Sequence, residues 1–164
     1  MLIILAGAPG TGKTTIARLL AERLRAVHVR IDTIEQALRT ADPAREVGAL
    51  GYGVAYRIAA DNLKLGLIVV ADAVNAVGIA RAGWTQVAEE TGSRHVFVEL
   101  GCSDREEHRR RVEGRVADIA GHALPSWDAV QARRMEPFTG PCLSIDTATH
   151  TPEAAVERIC RHIA

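Results

Sequence analysis

Short apolar runs alternate with longer helical patterns along the whole chain, and this alternation limits the folds that the sequence can adopt. Each run is apolar on both faces, as expected for the strands of a parallel sheet covered by helices. The 164 residues suffice for one core. We therefore predict one domain over residues 1–164, an α/β three-layer sandwich with helices on both faces of a parallel sheet. The predicted strands are 2–6, 27–31, 67–71, 95–100 and 142–146.

Helical spacing of apolar residues fills the stretches between these runs. In one stretch, Val47, Leu50, Val54 and Ile58 recur every three or four residues and predict a stripe that lies on the sheet. The segment 104–125 neither buries apolar residues nor continues the alternation of strands and helices, so we expect it at the surface. The predicted helices are 13–25, 33–39, 52–65, 81–90, 104–115, 127–135 and 153–163.

The charge balance excludes binding through bulk positive charge, because 20 Lys and Arg residues offset 20 Asp and Glu residues. Nucleic acid is therefore not an expected partner. No apolar run approaches the ~20 residues that cross a bilayer, and three widely spaced cysteines indicate neither a disulfide frame nor a zinc site. We expect a cytoplasmic protein without a membrane partner; the sequence does not indicate an oligomeric state.

The segment GAPGTGKT fits the pattern G-x-x-x-x-G-K-[ST] between an apolar strand and a helix. Its glycines let backbone N–H groups turn around a phosphate, and the helix N-terminus adds the positive end of its dipole. A bare strand–helix turn would not need Lys13, which in this motif reaches the β- and γ-phosphates. The Thr14 hydroxyl would bind Mg²⁺. The predicted nucleotide-binding residues are Gly7, Ala8, Pro9, Gly10, Thr11, Gly12, Lys13, Thr14 and Thr15.

Two aspartates follow apolar runs and so fall at the carboxyl edge of the predicted sheet. Asp72 is predicted to hold the metal with Thr14, and a loop or helix-capping aspartate is the alternative. Asp32 lies where a phosphoryl acceptor would sit and could accept the proton of its hydroxyl. Alternatively, Asp32 and Glu35 form a capping box for the next helix, and one residue can serve both purposes.

The helix predicted at 104–115 has Val112 as its only aliphatic residue, so it cannot lie in the core. Ser103 and Glu106 have the spacing of a capping box at its start. Five arginines crowd positions 105–115. A charge run of this kind is often only a solvated face.

Some of these arginines have local partners, since Glu106–Arg110 and Glu107–Arg111 are pairs at i,i+4. Arg111 and Arg115 are themselves four apart and repel each other unless an anion lies nearby. A polyphosphate would remove that repulsion. We therefore predict a mobile arginine lid over about 104–135 that closes on ATP.

With these residues in place, the chain resembles a family of small P-loop phosphotransferases across nearly its whole length. The family includes the kinase domain of polynucleotide kinases, zeta-toxin-like kinases, gluconate kinases, chloramphenicol phosphotransferases and AAA-type predicted kinases. The matching segments are GAPGTGKT, the strand-end Asp32, VVADAVN at 69–75 followed by Arg81, RVEGR at 111–115, MEP at 135–137 and IDT at 145–147.

The resemblance implies strand order 2-3-1-4-5, with ATP at the loop and 147–152, beginning at Thr147, near the adenine. It implies Lys13, Asp32, Arg111 and Arg115 as catalytic residues, both arginines also contacting ATP. We further predict Asp32, Asp72, Asn75 and Arg81 as acceptor contacts, and an exposed arginine at a helix start is the alternative for Arg81. Glu35 and Val74 depart from the residues common in relatives, and both border the acceptor pocket, so the acceptor does not carry over.

The resulting hypothesis is an ATP-dependent phosphotransferase that moves the γ-phosphoryl group of Mg-ATP to a hydroxyl of a small molecule. The alternatives are a nucleotide-binding ATPase or regulatory protein without an acceptor, and a nucleoside or nucleotide kinase. A GTPase is disfavoured because the sequence has no N-K-x-D segment to read guanine.

Overall fold

Five parallel strands form one sheet in the order β2-β3-β1-β4-β5, as predicted. The structure is a computed structural model that describes residues 1–44 and 46–164. Register aligns Asp72 with Leu5 on one side and with Arg30 on the other, so these strands end at one edge. The strands are β1 Leu2–Ala6, β2 Val27–Arg30, β3 Val69–Asp72, β4 His95–Gly101 and β5 Leu143–Asp146.

Helices pack on both faces of this sheet and match the seven predicted ones, with shifted ends. The side chains of β1 alternate between the two faces, as the period of a strand requires. Leu2 and Ile4 pack with α3 and α4, whereas Ile3 and Leu5 pack with α1 and α7. The helices are α1 Lys13–Leu24, α2 Ile31–Ala41, α3 Leu50–Lys64, α4 Gly78–Glu90, α5 Arg105–Glu113, α6 Trp127–Ala132 and α7 Pro152–Ile163.

The predicted orientation of α3 is wrong. Leu50 and Val54 are each 40% exposed and Ile58 is 39% exposed, while Val47, which precedes the helix, is buried. The core side of α3 is instead a face of small residues ending in Leu63, with Ala55 and Ala59 fully buried. Small side chains let the helix axis lie close to the sheet. The prediction was wrong because it followed the bulky aliphatic residues and not the alanines.

None of the helices within the described ranges combines the length and the apolar character needed to cross a bilayer.

Candidate functional site

A cavity of about 840 Å³ opens at the carboxyl edge of the sheet, where β1, β2 and β3 end. Six residues of the glycine-rich loop line one side of it: Pro9, Gly10, Gly12, Lys13, Thr14 and Thr15. The opposite walls include four further predicted site residues: Asp32, Asp72, Arg111 and Arg115. Predicted site residues up to 106 positions apart in sequence therefore share one cavity.

Three predicted loop contacts shape the loop and do not line the cavity. The Thr11 hydroxyl donates to the Ala8 carbonyl over 2.9 Å, and the Gly7 N–H donates to the Val74 carbonyl over 3.1 Å. These bonds hold the backbone in its turn. The shape of the phosphate loop thus depends on Gly7, Ala8 and Thr11.

Lys13 is the first residue of α1 and is buried beneath the loop. Its Nζ donates to the Ala8 carbonyl over 2.8 Å, which leaves two of the three ammonium donors for other partners. Burial lowers the pKa of Lys13 to about 8 despite the opposing charges of Asp72 and Asp32. A bound polyanion would raise this pKa again.

The start of α1 also favours an anion at this loop. Its N-cap, Gly12, offers no side-chain cap, and its first turn has no acidic residue. The positive end of the helix dipole and its first N–H groups are therefore uncompensated by side chains. This is the usual arrangement of a phosphate site at a helix N-terminus.

Asp72 is the last residue of β3 and only 3% exposed, and α4 is capped by Val77, so Asp72 caps no helix. Burial acts to raise its pKa, but a hydrogen bond from His28 Nε2 at 3.3 Å and the charge of Lys13 outweigh it. The pKa of Asp72 is lowered, so the carboxylate stays ionised. The nearby Thr14 hydroxyl lowers it further.

An ionised carboxylate beside a hydroxyl, both lining the cavity, is a donor set that suits Mg²⁺. Mg²⁺ takes few protein ligands and completes its shell with water and substrate phosphates. The described residues contain no cluster of three His, Cys, Asp or Glu side chains that would cage a metal unaided. Thr14 and Asp72 thus fit Mg²⁺ held jointly with a nucleotide.

Asp32 does not form the alternative capping box. It is the second residue of α2, whose N-cap is Arg30 and has no side-chain cap bond. Glu35 instead accepts from Arg39 over 3.0 Å. The Asp32 side chain is 38% exposed and lines the cavity opposite the loop.

The arginines of α5 divide between surface pairs and the cavity. Arg111 donates to Glu107 over 2.7 Å, the predicted i,i+4 pair, and to the Thr147 hydroxyl over 3.0 Å and carbonyl over 3.1 Å. The predicted pairing of Arg110 with Glu106 is wrong, because Arg110 binds Glu107 at i,i+3. Thr147 is buried and positions Arg111.

The start of α5 also differs from its predicted form. Asp104 is the N-cap and accepts from two backbone N–H groups, while the Ser103 hydroxyl binds Asp146. The spacing of Ser103 and Glu106 therefore misplaced the cap by one residue.

α5 rests on the phosphate loop. His108 Nε2 donates to the Pro9 carbonyl over 2.8 Å, and Val112 packs against Trp127, Val130 and the partly buried Ala8. His108 and Val112 are 8% and 5% exposed, so the expectation that 104–125 buries nothing is wrong for them. The loop and the arginine helix form one packed unit.

Two predicted acceptor contacts serve the fold instead. Asn75 is fully buried; its side-chain N–H donates to Leu5 over 2.7 Å and its oxygen accepts from Trp84 over 3.0 Å. Arg81 donates to the carbonyls of 136 and 137 and lies over the Phe138 ring at 4.3 Å. Neither residue lines the cavity.

Sequence reasoning gave no role to any histidine, yet His28, His108 and His122 all lie at this site. It also missed Tyr52 and Arg133, which line the cavity. These residues reach the site through contacts with residues far away in the chain. The spacing of residue types along the sequence therefore does not indicate them.

The sheet order, the loop and the arrangement of Lys13, Thr14 and Asp72 define a P-loop nucleotide-binding protein with the fold of kinases. The chain belongs to the AAA domain family, whose sequence model matches residues 2–137. No curated protein sequence matches the chain.

Solved structures of kinases share this fold. A candidate kinase from Chloroflexus aurantiacus superposes with a TM-score of 0.79 at 22% identity, covering 99% of this chain and 98% of that one. The APS kinase CysC of Mycobacterium tuberculosis, in complex with AMPPNP and APS, gives 0.73 at 15% identity over 99% and 96%. A gluconokinase from Sinorhizobium meliloti gives 0.62 at 14% identity over 98% and 94%.

Proposed function

We propose that this protein transfers the γ-phosphoryl group of Mg-ATP to a hydroxyl of a small molecule. One observation carries the proposal: Asp32, which caps no helix, faces the phosphate loop across the same cavity. A protein that only binds a nucleotide has no need for a carboxylate there. The solved kinases of similar fold, including an APS kinase and a gluconokinase, support a small-molecule acceptor.

The nucleotide half of the cavity would bind the phosphates through charge. The N–H groups of the loop and the start of α1 surround the β-phosphate, and Lys13 reaches toward the γ-phosphate. Arg111 and Arg115 lie on the α5 side, where they would stabilise the charge of the transferring group. Thr14 and Asp72 would hold Mg²⁺, which would offset the negative charge of the phosphates. We place the adenine near Thr147.

The acceptor half would carry out the proton transfer. The acceptor oxygen bonds to the γ-phosphorus as the bond to the β–γ bridging oxygen breaks, and ADP leaves with that electron pair. Asp32 takes the hydroxyl proton. Tyr52 and Gln36 line the same half and offer hydrogen-bonding groups to a polar acceptor. We place this reaction in the cytoplasm.

Substitution of Lys13 tests the nucleotide half of this proposal. Lys13→Ala should abolish ATP turnover and weaken the thermal shift produced by Mg-ATP. Lys64→Ala is the matched control, because Lys64 is the only other lysine and lies exposed at the end of α3. Equal turnover in the two variants would contradict the role of the loop.

Substitution of Asp32 tests the acceptor half. An ATP-consumption screen over sugars, nucleosides and aminoglycosides would first find an accelerating hydroxyl compound. Asp32→Asn should then remove transfer, by roughly 100-fold or more, while ATP affinity stays within a few-fold. Asp61→Asn, an exposed change on α3, is the control.

The commitment of Asn75 and Arg81 to the fold favours the second candidate, an ATPase or regulator without an acceptor. ATP binding without acceleration by any compound in the screen would support that alternative.

A further inference from the structure

Two donor groups flank the Asp32 carboxylate. Arg30 Nη2 and His122 Nε2 each lie 3.9 Å from its Oδ2. Among the residues that the structure describes, the buried side-chain polar atoms lacking a partner are Arg30 Nε and His122 Nδ1. Both unpartnered atoms therefore belong to the neighbours of Asp32. Arg30 ends β2, whereas His122 comes from the segment between α5 and α6.

An anchor at Asp118 brings this segment to β2. Arg30 donates to the two Asp118 carboxylate oxygens over 2.8 and 3.0 Å, a two-pronged contact, and Arg18 of α1 donates to the same carboxylate. Arg30 is only 7% exposed, so its position is fixed by burial. The Asp118 contact thus ties the segment to the sheet edge on which Asp32 sits.

A tight turn then aims His122 at the cavity. Gly121 has φ +76, and a Cβ added to it would lie 3.0 Å from Gln36 Nε2 of α2. Only glycine adopts this conformation at little cost and leaves room for the close approach. The next residue, His122, has a side chain that is 14% exposed and lines the cavity beside Asp32.

Burial favours one tautomer of His122. A neutral imidazole donates from one nitrogen and accepts at the other. A buried N–H without an acceptor is rarer than an under-used acceptor, so the proton belongs on Nε2 and Nδ1 carries the lone pair. Nε2–H then points to Asp32. A bond to one carboxylate oxygen would leave the other oxygen for the acceptor hydroxyl.

We propose that His122 is a positioning residue that donates from Nε2 to Asp32 and orients this carboxylate toward the acceptor hydroxyl, with Asp118 anchoring the segment that carries it. This inference rests on the proposed function of Asp32. Their present separation of 3.9 Å shortens to a hydrogen bond when the acceptor binds, as catalytic contacts tighten in the substrate complex.

Kinetics of two His122 variants test the positioning role. His122→Leu removes the donor and should lower kcat by about 10- to 100-fold, the cost of a misplaced reacting group, with KM for ATP unchanged. His122→Gln keeps an N–H donor and should retain most of kcat. His162→Leu, an exposed change on α7, is the matched control. Equal kcat in His122→Leu and wild type, or equal losses in both His122 variants, would overturn the role.

Nitrogen-15 NMR of the imidazole tests the contact without activity. Wild type should show the Nε2–H tautomer of His122, and Asp32→Asn, which removes the charge of the accepting group, should shift the Nε2 resonance. A proton on Nδ1, or a spectrum unchanged by Asp32→Asn, would refute the contact. Failure of wild type to transfer phosphate to any acceptor would overturn the proposed function, whereas transfer with an unaffected His122→Leu would overturn only the positioning role.

Limited trypsin digestion tests the anchor. Asp118→Asn should speed cleavage after Arg115 several-fold, because the segment loses its charged tie to Arg30. Glu113→Gln removes an exposed ion pair with Arg109 nearby and should leave the rate unchanged. Equal cleavage in Asp118→Asn and wild type would show that Asp118 does not hold the segment.

Discussion

The contact between the phosphate loop and α5 makes Gly10 a sensitive position. Gly10 has φ +87, and a Cβ on it would lie 2.5 Å from Val112 Cγ2 and 3.2 Å from the His108 ring. Gly12 has φ +85 but a Cβ there would meet nothing within 4 Å. Alanine therefore causes the same backbone strain at either position. Only at position 10 does its Cβ also clash with side chains of α5.

The expected costs differ accordingly. A left-handed alanine costs about 1–2 kcal/mol, which is the whole cost expected for Gly12→Ala. Overpacking against Val112 adds about 1–3 kcal/mol in Gly10→Ala, because that side chain is itself buried against Trp127. For a chain of this size, 1 kcal/mol lowers Tm by about 2–4 °C. Gly10→Ala should thus melt roughly 2–12 °C below Gly12→Ala.

Thermal and urea unfolding without nucleotide measure the Tm and the free energy of unfolding of both variants. A double-mutant cycle isolates the contact between position 10 and Val112. Val112→Ala removes the Cγ2 atom that a new Cβ would strike, so Gly10→Ala and Val112→Ala together should destabilise less than their sum by about 1 kcal/mol or more. Equal losses in the two glycine variants, or strict additivity in the cycle, would refute the packing of α5 on the loop.

Two further predictions concern stability. Gly53→Ala in α3 should raise the free energy of unfolding by about 0.5–1 kcal/mol, because glycine weakens a helix interior. A Cβ at this position meets nothing within 4 Å. Unchanged or lower stability in urea unfolding would contradict this prediction. Hydrogen bonds from Arg30 and Arg18 hold the pKa of Asp118 well below its ordinary value of 3.8. The ionised pair therefore stabilises the fold above that pH, and the benefit is lost as pH falls below it. Asp118→Asn should flatten this acid dependence, measured as Tm against pH, and an unaltered profile would count against the pair.

The fold was predictable because the features that determine it are local. β1 is a continuous apolar run, each of the other strands lies within or beside a predicted run, and the one long motif lies where β1 meets α1. Parallel strands separated by helices then place their carboxyl ends at one edge. That rule alone predicts where the cavity lies, without any knowledge of side-chain contacts. It also predicts that the cavity is lined by Lys13, Asp32 and Asp72.

The errors have two physical causes, which are competing neighbours in the sequence and partners that lie far away in the chain. The spacing of Asp32 and Glu35 allows a capping box, but β2 runs directly into α2, so the helix starts at Ile31, one residue before Asp32. Asn75 is polar and follows a strand, yet its partners Leu5 and Trp84 lie on β1 and α4. No local pattern distinguishes such a buried polar residue from one that faces a substrate.

The arginine cluster combines the two predicted arrangements, a solvated face and residues that line the cavity. Arg109 pairs with Glu113 across an exposed face of α5, which is the solvated arrangement. Arg111, in the last turn of α5, and Arg115, which follows the helix, both line the cavity. Arg111 relieves its repulsion through Glu107 and Thr147, whereas Arg115 has no ion-pair partner among the described residues. Arg115, like Arg133 on the cavity wall, therefore carries a charge that an anion in this cavity would neutralise, and its contact with ATP stays a prediction. Because α5 is packed on the loop and the following segment is tied at Asp118, we expect closure on ATP to come from side chains such as Arg115 and not from movement of the whole helix.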